Sequence, residues 1–130
     1  MAEAVVKAYA KGIRLAPRKV SLVAGLVRGR TVADALVILQ HTPKRAAKPL
    51  AKLVASARAN AVNNHRLQED SLVITTLSVT AGERLKRYRP ASHGRALPFQ
   101  KKTSNVRLVV SGMEKVKKPA AKPSDKKEEK

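Results

Sequence analysis

The sequence predicts an α+β fold: one strand, three helices, then two strands joined by a long basic β-hairpin. Three observations predict it. Apolar residues alternate with period two near the start of the chain and again beyond residue 72. Across the middle they recur at spacings of three and four. Between Arg84 and Lys102, flanked by the two later strand-like runs, stand seven basic residues and no acidic one. That segment holds too few apolar groups to offset the entropy of ordering it. It makes physical sense as a two-stranded arm ordered by a polyanion.

The elements follow in order. Glu3 to Arg14 alternates, with Val5, Lys7, Tyr9 and Lys11 on one face, and reads as a strand. Ala16-Pro17-Arg18-Lys19 opens a helix, where proline's missing N–H had no partner to lose. Val20, Val23, Ala24 and Val27 form its apolar stripe, and Gly29 is its stop. Thr31-Val32-Ala33-Asp34 resembles a capping box with Asp in place of Glu. The helix after it buries Val32, Ala35, Leu36 and Leu39 and ends near His41. Thr42-Pro43 starts a third helix in the same manner, running to about Asn64, with Pro49 in its early turns. Its stripe is Leu50, Leu53, Val54, Ala57 and Ala61.

His65 to Asp70 reads as a polar connection. Leu72 to Thr80 is a strand with Val73, Leu77 and Val79 on one side, and Val106 to Val110 is its partner, with Val106, Leu108 and Val110 facing the core. Between them the arm, at about 83–105, extends roughly 30 Å from Gly82 to a tip near Ala91. One domain is expected over residues 1–113. The Lys-, Glu- and Pro-rich stretch 114–130 reads as a disordered charged tail.

The net charge of +19 and pI near 11.1 would strain a free compact protein by self-repulsion and attract phosphate strongly. Membrane surfaces are anionic too, but no apolar run approaches the roughly 20 residues of a span. With no cysteine there is neither a disulfide framework nor a thiolate metal site. Aromatic residues are limited to Tyr9, Tyr88 and Phe99. Such scarcity argues against a base-stacking sheet and for recognition of phosphates and folded shape.

Catalytic and metal constellations are missing from the pattern. His41, His65 and His93 fall in separate segments without metal-ligand spacing. The acidic residues are scattered, the serines lack a nucleophile context, and the glycines form no phosphate-cradling loop. No enzyme, cofactor or metal is expected. The expected nucleic-acid contacts are Arg14, Arg18, Lys19, Arg28 and Arg30 around the first helix, Lys44 and Arg45 before the third, and Arg84, Lys86, Arg87, Arg89, Arg95, Lys101 and Lys102 in the arm.

Several runs resemble one family. Ala-Pro-Arg18-Lys19, Ser56-Ala57-Arg58-Ala59-Asn60-Ala61, Leu85-Lys86-Arg87-Tyr88-Arg89-Pro90, Gly94-Arg95-Ala96 and Lys102-Thr103-Ser104-Asn105-Val106 resemble large-subunit ribosomal protein twenty-two in its bacterial form. They do so in the right order over about residues 3 to 112. The resemblance implies three helices packed on a small antiparallel sheet with a long projecting β-hairpin. It implies a cytoplasmic structural role in the large ribosomal subunit, as a monomer bound to large-subunit rRNA and neighbouring ribosomal proteins, with no membrane. It also implies a role in subunit assembly and a hairpin tip, here Tyr88, Arg89, Pro90, Ala91, Ser92, His93 and Gly94, lining the exit tunnel beside the nascent polypeptide. In such proteins the hairpin lies near where macrolide antibiotics bind. The chain departs from the family at Ala91, where Arg usually follows the hairpin proline. His93 and Arg89 are the candidates to take over its contact.

Two rival readings stand beside this one. A histone-like architectural DNA binder also extends basic β-arms tipped by proline, which can wedge between base steps. It works as an intertwined dimer, whereas the strand–helix–helix–helix–hairpin order suits a monomer. A small nucleic-acid enzyme lacks the acid, base or metal groups it would need.

Overall fold

The computed structural model describes residues 3–115. Strand β1 (Glu3–Ile13) is followed by helices α1 (Pro17–Val27), α2 (Val32–His41) and α3 (Ala47–Asn63), then by strands β2 (Val73–Pro90) and β3 (Ala96–Met113). The strands form one antiparallel sheet in the order β1-β3-β2, so β3 is central. The three helices cover one face of it. Val6, Ile74, Leu77, Val106, Leu108 and Val110 from the sheet join the helical stripes in one core. The expected α+β architecture, projecting hairpin included, is therefore present.

The helices bury the faces their periodicity assigns. Val20, Val23, Ala24 and Val27 of α1 are buried, as are Leu50, Leu53, Val54, Ala57 and Ala61 of α3. Gly29 stands just past α1 at φ +72°, a conformation glycine adopts without steric penalty. The Thr31 hydroxyl accepts from the Asp34 N–H at 3.2 Å and starts α2. The linker from α1 to α2 also seals the edge of β2. Gly29 N–H donates to Ile74 O, Ile74 N–H to Arg30 O, and Val32 N–H to Leu72 O.

Three local expectations are corrected. Helix α3 begins at Ala47, not at Thr42-Pro43. A start at Pro43 would require a hydrogen bond from Pro49 to Arg45 and would press its ring on that carbonyl. Beginning at Ala47 puts Pro49 in the first turn, where no donor is needed. Thr42 instead closes α2, its hydroxyl donating to Ile38 O at 2.6 Å. In β2 the inward residue is Ile74, while Val73 is exposed. Ile74 pairs with Val110 but Thr76 with Val109, so Thr75 is an extra residue. This bulge reverses the alternation before Leu77 and Val79.

The third correction concerns the polar connection, which hides Leu67, wholly buried. Arg66 at φ 53° turns the chain inward, and Leu67 N–H donates to Ala61 O. Leu67 bridges to Glu114, and Lys115 N–H donates to Arg66 O. Backbone pairing thus runs two residues past the expected boundary at Met113, and the rest of the expected tail lies outside the described residues. Leu67→Ala should destabilise the fold by about 2–5 kcal/mol, as truncations of buried leucine do. A urea unfolding midpoint equal to that of the parent chain would show that Leu67 is not part of the core.

Candidate nucleic-acid interface

The arm is a continuation of β2 and β3 beyond the helices. Its ladder runs from Arg84↔Lys102 to Pro90↔Ala96 without a break. One side carries Leu85, Arg87 and Arg89 opposite Lys101, Phe99 and Leu97. The other carries Arg84, Lys86, Tyr88 and Pro90 opposite Lys102, Gln100, Pro98 and Ala96. All the candidate arm cations are exposed. The Arg89 guanidinium lies over the Phe99 ring at 4.9 Å, a cation–π contact that stiffens one side chain while leaving its charge outward.

The tip is a defined turn. Ala91 N–H donates to Arg95 O at 2.8 Å and closes residues 91–95. Arg95 N–H donates to Ser92 O at 3.4 Å across His93 at φ 59° and Gly94 at φ 69°, so the turn is left-handed. Pro90 enters the turn with its φ fixed, and Gly94 leaves it in a left-handed conformation open to glycine. Tyr88 is 71% exposed, so its ring is offered to a partner and not to the body.

The root of the arm is pinned by three consecutive side chains of β3. Thr103 donates to Glu83 O at 2.7 Å, on β2. Ser104, the one buried polar residue among those described, donates to Leu15 O at 3.0 Å, in the loop after β1. Asn105 accepts at Oδ1 from Gly12 N–H at 3.1 Å, within an irregularity of β1. Opposite Thr103 the ladder shifts between Ala81 and Arg84, a bulge at Gly82-Glu83. No other sequence signal marks this clasp beyond the run Thr103-Ser104-Asn105 itself.

The body cations fall into separate groups. Arg14, Arg18 and Lys19 are exposed at the start of α1. They stand beside the arm root, because Ile13 pairs with Ser104. Arg28 and Arg30 are a helix length away, about 16 Å, at the other end of α1. Each spends one donor on structure: Arg28 Nε on Leu77 O at 2.8 Å, Arg30 Nε on Leu26 O at 2.9 Å. A guanidinium carries five donors, so both keep an outward fork. Lys44 and Arg45 are exposed in the turn before α3. Among the described residues the ion pair is Arg58–Glu69, and it involves none of the candidate cations. Their charge is unneutralised by any ion pair among the described residues.

One group was missed. Lys7, Lys11 and Arg107 are exposed on the sheet face away from the helices, around Tyr9. The alternation of β1 put Lys7, Tyr9 and Lys11 together, but pairing with Arg107 is a fact of register.

What this arrangement can do is neutralise phosphates along a thin, reaching ribbon and at its root. Comparison with known proteins gives the family. The family described as ribosomal protein L22p/L17e matches residues 8–111. The large ribosomal subunit protein uL22 of Mesoplasma florum is 49% identical over 105 residues, covering 81% of this chain and 94% of that protein. The uL22 of Clostridium perfringens is 46% identical over 104 residues, covering 80% of this chain and 94% of its own length. On a match spanning most of both chains, with the helices, sheet and hairpin in place, the chain belongs to the ribosomal protein L22p/L17e family.

Proposed function

We propose that the chain is a structural constituent of the large ribosomal subunit in the cytoplasm, binding large-subunit rRNA and organising its assembly. The carrying observation is the arm: a paired basic ribbon with exposed charge on both sides and no acid from Arg84 to Lys102. Lys and Arg neutralise phosphate where RNA segments converge, and the converging strands in turn fix the arm. The role is geometric and non-enzymatic, and neighbouring ribosomal proteins are its other partners. The core closes within one chain, which supports a monomer over the intertwined dimer of a histone-like DNA binder.

Gradient sedimentation in moderate salt tests this. The chain should travel with large ribosomal subunits and be monomeric when free. Sedimentation with DNA as a dimer would replace the reading with the architectural one.

The tip, Tyr88 to Gly94, is assigned to the wall of the nascent-chain tunnel. A reach of roughly 30 Å puts it beyond the core, and its turn is rigidly specified. Deleting Leu85–Arg87 removes three residues from one strand of the ladder, which shifts register and exchanges faces. Cells living on the deleted form should show altered macrolide sensitivity and altered passage of arrest-prone nascent chains, with near-normal subunit yield. Failed assembly with unchanged drug response and arrest would make the tip a scaffold instead.

A further inference from the structure

The helices cover one face of the sheet, and the other face is open. Its rows follow from the register. Lys7 stands opposite Val109, and Tyr9 opposite Arg107, which also faces Ser78. Asn105 stands opposite Thr80, and Lys11 begins the irregular stretch of β1 beside them. The Arg107 guanidinium lies over the Tyr9 ring at 5.9 Å.

The same side of β3 continues into the arm. Successive residues of a strand alternate between faces, so Arg107, Asn105, Thr103, Lys101, Phe99 and Leu97 share one side. There they meet Leu85, Arg87 and Arg89 across the ladder. Both arginine–aromatic stacks, Arg107 on Tyr9 and Arg89 on Phe99, therefore lie on one side of one strand. From Val109 to Leu97 that side runs about 40 Å. Between Val73 and Met113 the chain has one acidic residue, Glu83, and it sits at the root bulge.

We infer that the open face of the sheet, centred on Lys7, Tyr9, Lys11 and Arg107, is a second RNA-backbone surface continuous with the arm. The inference rests on the RNA-binding reading above and extends it to residues outside the arm and helices. Continuity decides the occupant. A polyanion held along Arg87, Arg89 and Lys101 needs only to follow β3 toward the body to meet Arg107, Lys7 and Lys11. Hydroxyl and amide groups of Thr80, Ser78 and Asn105 line that route, and such groups are common partners of phosphate and sugar oxygens. The two guanidiniums lie over aromatic rings, Arg89 over Phe99 and Arg107 over Tyr9, and their charge meets phosphate on that same side.

The test uses the full chain and a transcript of large-subunit rRNA. The triple variant Lys7→Ala, Lys11→Ala, Arg107→Ala removes three exposed cations and no buried contact. Its log–log salt slope should be shallower by about 2–3, with affinity about tenfold lower or more near 0.1 M salt. In the unsubstituted chain, bound transcript should slow acetylation of Lys7 and Lys11 severalfold. This second measurement decides the matter should the variant fail to fold. An unchanged slope and unprotected lysines, with a slope that arm removal still flattens, would overturn the inference and leave the RNA reading intact. A slope that neither change affects would overturn both. Lysines protected in whole subunits but not by the transcript would give the face to a protein partner, and that too would overturn it.

Discussion

Excising Arg84–Lys102 and joining Glu83 to Thr103 through an Asn-Gly turn should flatten the log–log salt dependence of RNA binding by about 5 to 6. Seven cations leave with the segment. Each releases just under one counterion per neutralised phosphate, which sets the size of the effect. Between 50 and 200 mM salt the parent chain should lose on the order of a thousandfold or more in affinity, and the excised chain far less. Stability should hardly move. No residue from Arg84 to Lys102 is in the buried core, and the body's ladder persists to Ala81↔Ser104. The measurements are filter binding across a salt series and urea unfolding. An unchanged slope would place the binding surface outside the arm. A collapsed midpoint would show the arm to be part of the folding unit.

The second large effect is expected at a single glycine. A Cβ on Gly82 would come within 2.5 Å of Thr103 Oγ1 and 3.2 Å of the Thr103 carbonyl carbon. The hydroxyl cannot turn aside without losing its bond to Glu83 O. The backbone contact must also open, and it lies at the point where the arm leaves the body. Gly82→Val should therefore re-aim the arm, lowering RNA affinity about tenfold or more, because phosphate contacts made along a rigid ribbon are lost together. The cost in stability should be smaller, about 1–3 kcal/mol for local overpacking. Adding Thr103→Ala should recover part of the affinity by clearing the collision, although alone it removes one hydrogen bond. If Gly82→Val binds like the parent, the direction of the arm is not set at this bulge.

The helical stripes and the central strand were legible in the sequence because burial there obeys a fixed period. Val20, Val23, Ala24 and Val27 sit where spacing put them, and so do Val106, Leu108 and Val110. Legibility failed where one residue breaks the period. Thr75 shifts the phase of β2, and nothing in the run of β-branched residues announces it. Leu67 stood alone among polar neighbours and had no period to belong to. The arm was legible from charge alone, since seven cations without an acid cannot line a core. The clasp and the Tyr9–Arg107 pair were not. Apart from Thr103–Glu83, 20 positions apart, they join residues about ninety or more positions apart, and only the register of β1 against β3 brings them together.

The order β1-β3-β2 also has a consequence in time. Among the described residues β1 and β2 share no ladder, and each pairs only with β3. A chain leaving its synthetic machinery presents β1, the helices and β2 before the strand they both require. Until Ala96–Met113 is available, Val6, Ile74 and Leu77 have no sheet to join and both ladders of the sheet wait. Such non-local contacts make for slow folding and a late cooperative step. A chain stalled before Val106 should remain open to protease along its whole length. A chain extended past Lys115 should gain its protection in one cooperative step around its last strand.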